Sequence, residues 1–479
     1  MMNDETVFIV GGGIAGLYCA SLLLERGFNV SVFEKQSEFG GRIKTVYDKK
    51  NPNSVCYESG PWRVHPSHKK FLSLIEKLGL HVIPTYHKVH YKKFPKERKR
   101  NMSNNNLSVK EMSLTLFQAD CVEGELLQDV NLKMQKTGYD MLLQEPYQNN
   151  FKIIETEPDY FVVKEGLTMV VKKLVENLTK HTKRVKLFTN HCVQDISYHE
   201  GSKLFNIKFT KRMENRYISF QKSAHTVILG IPPSDLNKIP SLTLHPNINT
   251  VDSLPLLHTL AFSKNMPKHF GKYICNSPIS QIIHSCYENN WFQISYTSGR
   301  LAMLFHNLII SSKKTWDNFI KKEFYKYFPT SIKIDKIVPH FWRHAVHYYH
   351  PNFEKTKSEL SHRNIYPHPT KYQNLYIIGE SISNEQAWIE GALDSVDHFI
   401  KIFRPSSSTK KRKPRIKKPK EFVIYDGRIL DVSKWKFVHP GSRQVIENHL
   451  GEDITHLWNQ YHPYTASKYI VALEKRIDE

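Results

Sequence analysis

The chain opens with apolar and polar positions set in two different rhythms. Residues 6–10, TVFIV, form a short apolar run suited to a strand buried on both faces. From Ile14 to Arg26 apolar residues return at helical spacing, and Gly27 stands where such a helix stops. FNVSVFE, residues 28–34, reads as a second strand. Together they make a β-α-β unit of about thirty residues. Far downstream, residues 421–479 regain apolar spacing. There the pattern predicts a strand, a turn at Asp426-Gly427, a second strand running into DVSKW, then an amphipathic helix over SRQVIENHL, with GEDITHLWNQYH after it.

Length and composition set the frame for these elements. A chain of 479 residues suits two or three domains. With 40% hydrophobic, 24% charged and 12% aromatic residues, most of it can bury a core. The exception is 404–420, RPSSSTKKRKPRIKKPK, which holds nine Lys or Arg and no acid. It reads as an extended, self-repelling linker. The formal charge of +22 falls to +13 without it, so the rest is basic too. Such a balance suits anionic partners, and the linker could touch nucleic acid or an anionic membrane; solubility is the plainer account. The six cysteines are scattered with no C-x-x-C, as reduced thiols are. No leader and no long apolar span is visible, which points to an intracellular, cytoplasmic protein. The Lys, Asn and Ile bias is that of AT-rich genomes such as those of large DNA viruses.

Gly11, Gly13 and Gly16 spell G-x-G-x-x-G between the first strand and the first helix. Gly11 permits the tight turn, Gly13 lets backbone approach a pyrophosphate, and Gly16 lets helix and strand close up. The helix N-terminus offers free N–H groups to phosphate. Glu34 ends the second strand, where an acid can accept from a ribose hydroxyl. Gly40-Gly41-Arg42 follows shortly.

This sequence of motifs resembles the flavin amine oxidase superfamily, which includes monoamine oxidases, L-amino-acid oxidases and protoporphyrinogen oxidase. The resemblance extends to 57–80, to the helix and strand expected over 165–178 and 185–197, to HTVILGIPPSDLNKI at 225–239 and to the closing segment 375–400. It implies FAD, with Arg42 near the pyrophosphate and Val193 beside the adenine. Gly379 and Glu380 would meet the ribityl chain and pyrophosphate, and Trp388-Ile389 would set a helix N-terminus by the flavin ring. The implied fold is α/β: a Rossmann-type FAD domain from about 1–85, 160–235 and 370–403, with an inserted α+β substrate domain from about 86–159 and 236–369.

The same resemblance implies oxidation of an amine or amino-acid-like small molecule. Arg63, in GPWR, stands where amino-acid oxidases clamp a carboxylate, a task that suits a guanidinium; ordering of the flavin or a surface loop is the alternative. Trp388 would wall the site or simply fill the core. Two departures stand out. Leu260 or Ala261 falls where oxidases carry the lysine that aids reaction with oxygen, Lys264 being too late in register. Ala387 replaces a glycine or aromatic residue. His344 and His347 have H-x-x-H spacing without an acid or third ligand, which favours structural roles over a metal site.

The tail, 421–479, resembles the cytochrome b5 family, a small α+β domain. His439, in HPG, and His462 would hold haem b from both faces. Bis-imidazole ligation leaves no open position and so serves electron transfer. Val445, Ile446, Leu450, Ile454, Leu457 and Trp458 would wall an apolar slot. Ser442 departs from the usual second glycine, and His449 and His456 are competing imidazoles, His449 being placed on an exposed face. A zinc site would need two further ligands. The combined expectation is an FAD enzyme with a tethered haem that passes electrons to an external acceptor. The alternatives are reverse flow from a reductase through haem to flavin, for desaturation or isomerisation, and a degenerate flavin fold whose basic tether binds nucleic acid or membrane.

Overall fold

Five parallel strands form the sheet that carries the site, in the order Leu375–Ile377, Thr226–Leu229, Thr6–Val10, Asn29–Phe33, Val185–Phe188. The computed structural model describes residues 6–85, 89–91, 160–214, 216–242, 251–267, 270–274, 278–279, 281–287, 289–328, 332–349, 374–383, 385–403, 421–425, 428–437, 439 and 442–461. The basic linker, the Asp426-Gly427 turn and His462 lie outside them. The chain divides into two units, Met1–Phe403 and Arg404–Glu479.

Both faces of the parallel sheet are covered, as such sheets require. Alternation does the sorting. Val7 and Ile9 point into a core shared with the helices Ile14–Glu25, Leu167–Thr179 and Ile389–Ile402. Phe8 and Val10 point into another, shared with an antiparallel sheet of His191–His199, Leu204–Arg212 and Tyr217–Ala224. The first helix ends at Glu25, one residue short of the expectation, and Gly27 takes φ +93 beyond it.

A six-stranded sheet makes the second layer of this unit, in the order Lys336–Tyr349, Val251–Phe262, Trp291–Ser298, Gln281–His284, Lys272–Ile274, Val89–Tyr91. The helices Gly299–Ser311 and Lys313–Tyr325 pack on it around Trp316, Phe292 and Phe324. Buried Glu58 joins separate elements: it accepts from Thr45 Oγ1 (2.9 and 2.8 Å), Leu167 N (2.7 Å) and Tyr287 OH (3.3 Å). Burial pushes its carboxyl up to about 7 against those bonds.

The C-terminal unit is a hairpin, Phe422–Tyr425 and Arg428–Asp431, with short helices Arg443–Glu447 and Thr455–Tyr461. Val423, Leu430, Val432, Ile446, Ile454 and Trp458 form its core, with Leu450 and Leu457 against them. Val445 does not join that core and is 47% exposed. The helix expected over SRQVIENHL is shorter at both ends: it starts after Ser442, which takes φ +83, and it gives way to turns after Glu447. Buried Lys436 ties the start of the hairpin to the helix Arg443–Glu447, donating to Glu421 (2.6 Å) and Glu447 (2.9 Å). Among the described residues, no helix is long and apolar enough to cross a membrane.

Candidate active site

Val10, Phe33, Gly230 and Ile378, all at the carboxyl ends of the parallel strands, border a cleft of ≈ 480 Å³. Ligands bind at this edge of α/β sheets. Gly11 holds φ +104, and a Cβ there would lie 2.5 Å from Gly230 O, so only glycine fits. A Cβ on Gly16 would strike Gly11 O at 2.0 Å, which is how closely helix and strand approach. Gly13 differs: a Cβ would meet nothing within 4 Å, because the residue borders the cleft. It also caps the first helix with no side-chain bond, leaving backbone N–H groups of Ile14 and Ala15 at the cleft wall.

Glu34 is buried at the cleft edge, and its two oxygens accept from Gly12 N and Gln36 N, both at 2.8 Å. A carboxylate keeps further lone pairs after two such bonds. Gly40 N donates to Gly12 O (2.9 Å), docking Gly40-Gly41-Arg42 on the glycine loop. Arg42 crosses the cleft base: Nη1 donates to Ala345 O (2.8 Å) and Nη2 pairs with Glu380 Oε2 (2.8 Å). Glu380 also meets His347 Nδ1 (2.8 Å) and accepts from Ala387 N (2.6 Å). Burial raises its carboxyl, but Arg42, His347 and the Ala387 amide outweigh burial and hold it well below the usual carboxylate range. Ala387 takes φ +70 to aim that amide.

Trp62 and Trp388 bring an aromatic cluster to the cleft lining, with Tyr160 and His68 packed behind them. The Arg63 guanidinium lies 5.0 Å from the ring centroids of both Trp62 and Tyr160, and it has no ion pair among the described residues. Tyr160 stacks on Trp388 (6.3 Å, 15°), whose ring meets His68 edge-on at 4.7 Å. Burial, with His65 nearby, pushes His68 down to about 4.

Of the residues singled out in the sequence, Gly11, Gly13, Glu34, Gly40, Gly41, Arg42, Arg63, Val193, Gly379, Glu380, Trp388 and Ile389 all line this cleft. Gly16 sits beneath it. Leu260 and Ala261 are buried in the second sheet, and Lys264 is exposed. His344 bonds Ser253 Oγ (2.7 Å) and His347 bonds Glu380, so the H-x-x-H pair serves two separate contacts. No group of metal-binding side chains occurs among the described residues. Sequence reasoning passed over Trp62, Tyr160 and the Glu380 contact of His347. The GPWR neighbour and the His-rich run HFWRHAVHYYHP were the available signals.

A model of flavin-containing amine oxidoreductases matches residues 14–110 and 98–395. The chain belongs to this family. A second model, of cytochrome b5-like heme- or steroid-binding domains, matches residues 408–476. Among curated relatives, a 4,4'-diapophytoene desaturase of Methylomonas sp is 41% identical over 61 residues, 13% of this chain and 11% of that protein. Amine oxidase B of Mus musculus is 38% identical over 80 residues, 17% of this chain and 15% of that protein. These matches span well under a fifth of each relative's length. A triple mutant of putrescine oxidase shares the fold, with TM-score 0.60 and 15% identity over 82% of this chain and 97% of that one.

This flavin amine oxidoreductase uses FAD, and its C-terminal module is of the haem-binding type. The residues present fit both. Gly13 and Gly379 have open space where a Cβ would be and both border the cleft, beside an uncapped helix N-terminus. In the C-terminal unit half-buried His439 meets Trp435 edge-on at 4.6 Å. Phe437 and Val445, which flank it in sequence, are 62% and 47% exposed, an apolar surface that a macrocycle would cover.

Proposed function

We propose that this protein oxidises an amine or amino-acid-like substrate in the cleft and that the electrons pass to haem held by His439 and His462. The observation that carries the reading is Arg63: a guanidinium at the cleft wall, held by two aromatic faces, with no ion pair among the described residues. Among the described residues no acceptor takes its donors, which can hold a carboxylate bidentately. The Trp62 and Tyr160 rings beside it lower the local dielectric, which strengthens that pairing. Oxidation at the C–N bond removes two electrons and two protons from the substrate and leaves an imine, which water hydrolyses. When bound, FAD supplies a two-electron acceptor and a bis-imidazole haem a one-electron carrier. Gly13, Arg42 and Glu380 would hold the former.

Anaerobic stopped-flow mixing with amino acids and with polyamines tests this. The expected result is loss of flavin absorbance followed by reduced-haem bands with no reductase added. Bleached flavin beside haem that stays oxidised overturns the transfer; flavin that neither class bleaches overturns the substrate assignment.

A further inference from the structure

The strand His191–His199 begins at the end of the cleft that carries Glu34, and His191 N donates to Glu34 O at 2.7 Å. Where a β-α-β unit binds a dinucleotide, the acid that ends its second strand takes the adenosine ribose. The adenosine half of FAD therefore belongs beside Glu34. His191, Cys192, Val193 and Gln194 line the cleft together with that acid.

The His191 ring is fixed on several sides. Phe188, Phe220 and Phe33 lie against it, with ring centroids 5.2, 5.5 and 6.2 Å away, and the residue is 8% exposed. Nδ1 sits 2.5 Å from Thr189 O. A carbonyl oxygen only accepts, so Nδ1 carries the hydrogen, and in the neutral ring Nε2 is then a bare acceptor. No described residue donates to Nε2. Three rings and a carbonyl thus set the plane and the tautomer of an imidazole that borders the cleft and keeps one polar atom unused. Polar atoms of buried side chains are almost always paired, so Nε2 suits a donor brought by the cleft's occupant. Adenine brings one. Its ring nitrogens accept, and the 6-amino group is the base's donor. The ribose hydroxyls are the other donors of adenosine, and Glu34 is the acceptor for those.

We propose that His191 reads the base of the cofactor: the 6-amino group of FAD's adenine donates to His191 Nε2, and this contact makes the chain select adenine. The inference rests on FAD as the cofactor and on no particular substrate. The test titrates full-length protein, stripped of flavin, with FAD and with the dinucleotide in which purine replaces adenine, so that only the 6-amino group is missing. Flavin fluorescence reports binding, and no turnover is needed. FAD is expected to bind at least about tenfold tighter than the purine dinucleotide, since the latter leaves Nε2 without a donor. His191→Phe keeps an aromatic ring among its three neighbours and removes the acceptor, so there the ratio should fall to about one. Equal affinities in the unaltered protein overturn the assignment. So does a preference that survives His191→Phe, which would make His191 a member of the aromatic cluster and nothing more. Should that variant fail to fold, the ratio in the unaltered protein decides.

Discussion

Arg42 and Glu380, from the two ends of the first unit, form a 2.8 Å ion pair in which the carboxylate is 5% exposed. The pair closes the cleft base and leaves Glu380 ionised. Arg42→Met strands that carboxylate beside His347. Stability should fall by about 3 kcal/mol, the low end for a broken buried pair because the guanidinium itself is partly exposed. Denaturant unfolding of the FAD-free protein measures it. A change below about 0.5 kcal/mol would show that the pair is not what holds this base together.

Arg63→Met should raise KM for carboxylate-bearing substrates by about a hundredfold, as loss of a charge-assisted bidentate bond does, and leave simple amines within a few-fold. Steady-state comparison of an amino acid with its decarboxylated amine reads the split. An equal loss for both would make Arg63 a structural residue of the aromatic wall.

Glu58 has a pH signature. Its carboxyl is raised from 4.5 to about 7 in the folded chain. The folded state therefore binds more protons than the unfolded one between those values, and stability must fall as pH rises through that window. The whole effect is about 3 kcal/mol at most. Glu58→Gln should flatten this slope in unfolding experiments across pH; an unchanged slope assigns it elsewhere.

Ser442 holds φ +83, a conformation that glycine adopts at no steric cost. Ser442→Gly should therefore stabilise the C-terminal unit by about 1 kcal/mol. Denaturant unfolding followed at the Soret band checks the sign. A destabilised variant would mean the Ser442 side chain contributes more than its backbone costs.

His439→Ala should abolish the Soret band of protein expressed with ample haem and leave flavin absorbance intact. His439→Ala protein with a full Soret band would remove His439 as a ligand.

The local parts of this molecule were legible in the sequence. Gly11, Gly13, Gly16 and Glu34 lie within one β-α-β unit, where strand, helix and turn dictate one another, and they sit together in the fold. What was not legible depends on register between distant strands. Tyr160 reaches Arg63 because Val64 bridges Phe161, a pairing no local pattern encodes. His347 looks like one more ring in an aromatic run until its strand carries it to Glu380. Gln293 has the parity of the opposite face and changes sides only through a bulge. Even the short final helices illustrate the point: the spacing over SRQVIENHL is helical, but the backbone at Ser442 decides where the helix begins.

The order of strands in the parallel sheet also governs when the cleft can exist during synthesis. Its edge strand, Leu375–Ile377, pairs with Thr226–Leu229 and is followed directly by Gly379 and Glu380. A nascent chain on the ribosome thus carries the whole glycine loop long before it owns Gly379 and Glu380, which complete the cleft lining. Until then Thr226–Leu229 presents a bare edge open to mispairing. Cofactor capture is therefore a late event, and a translation product that stops short of residue 375 should come off the ribosome without its yellow colour.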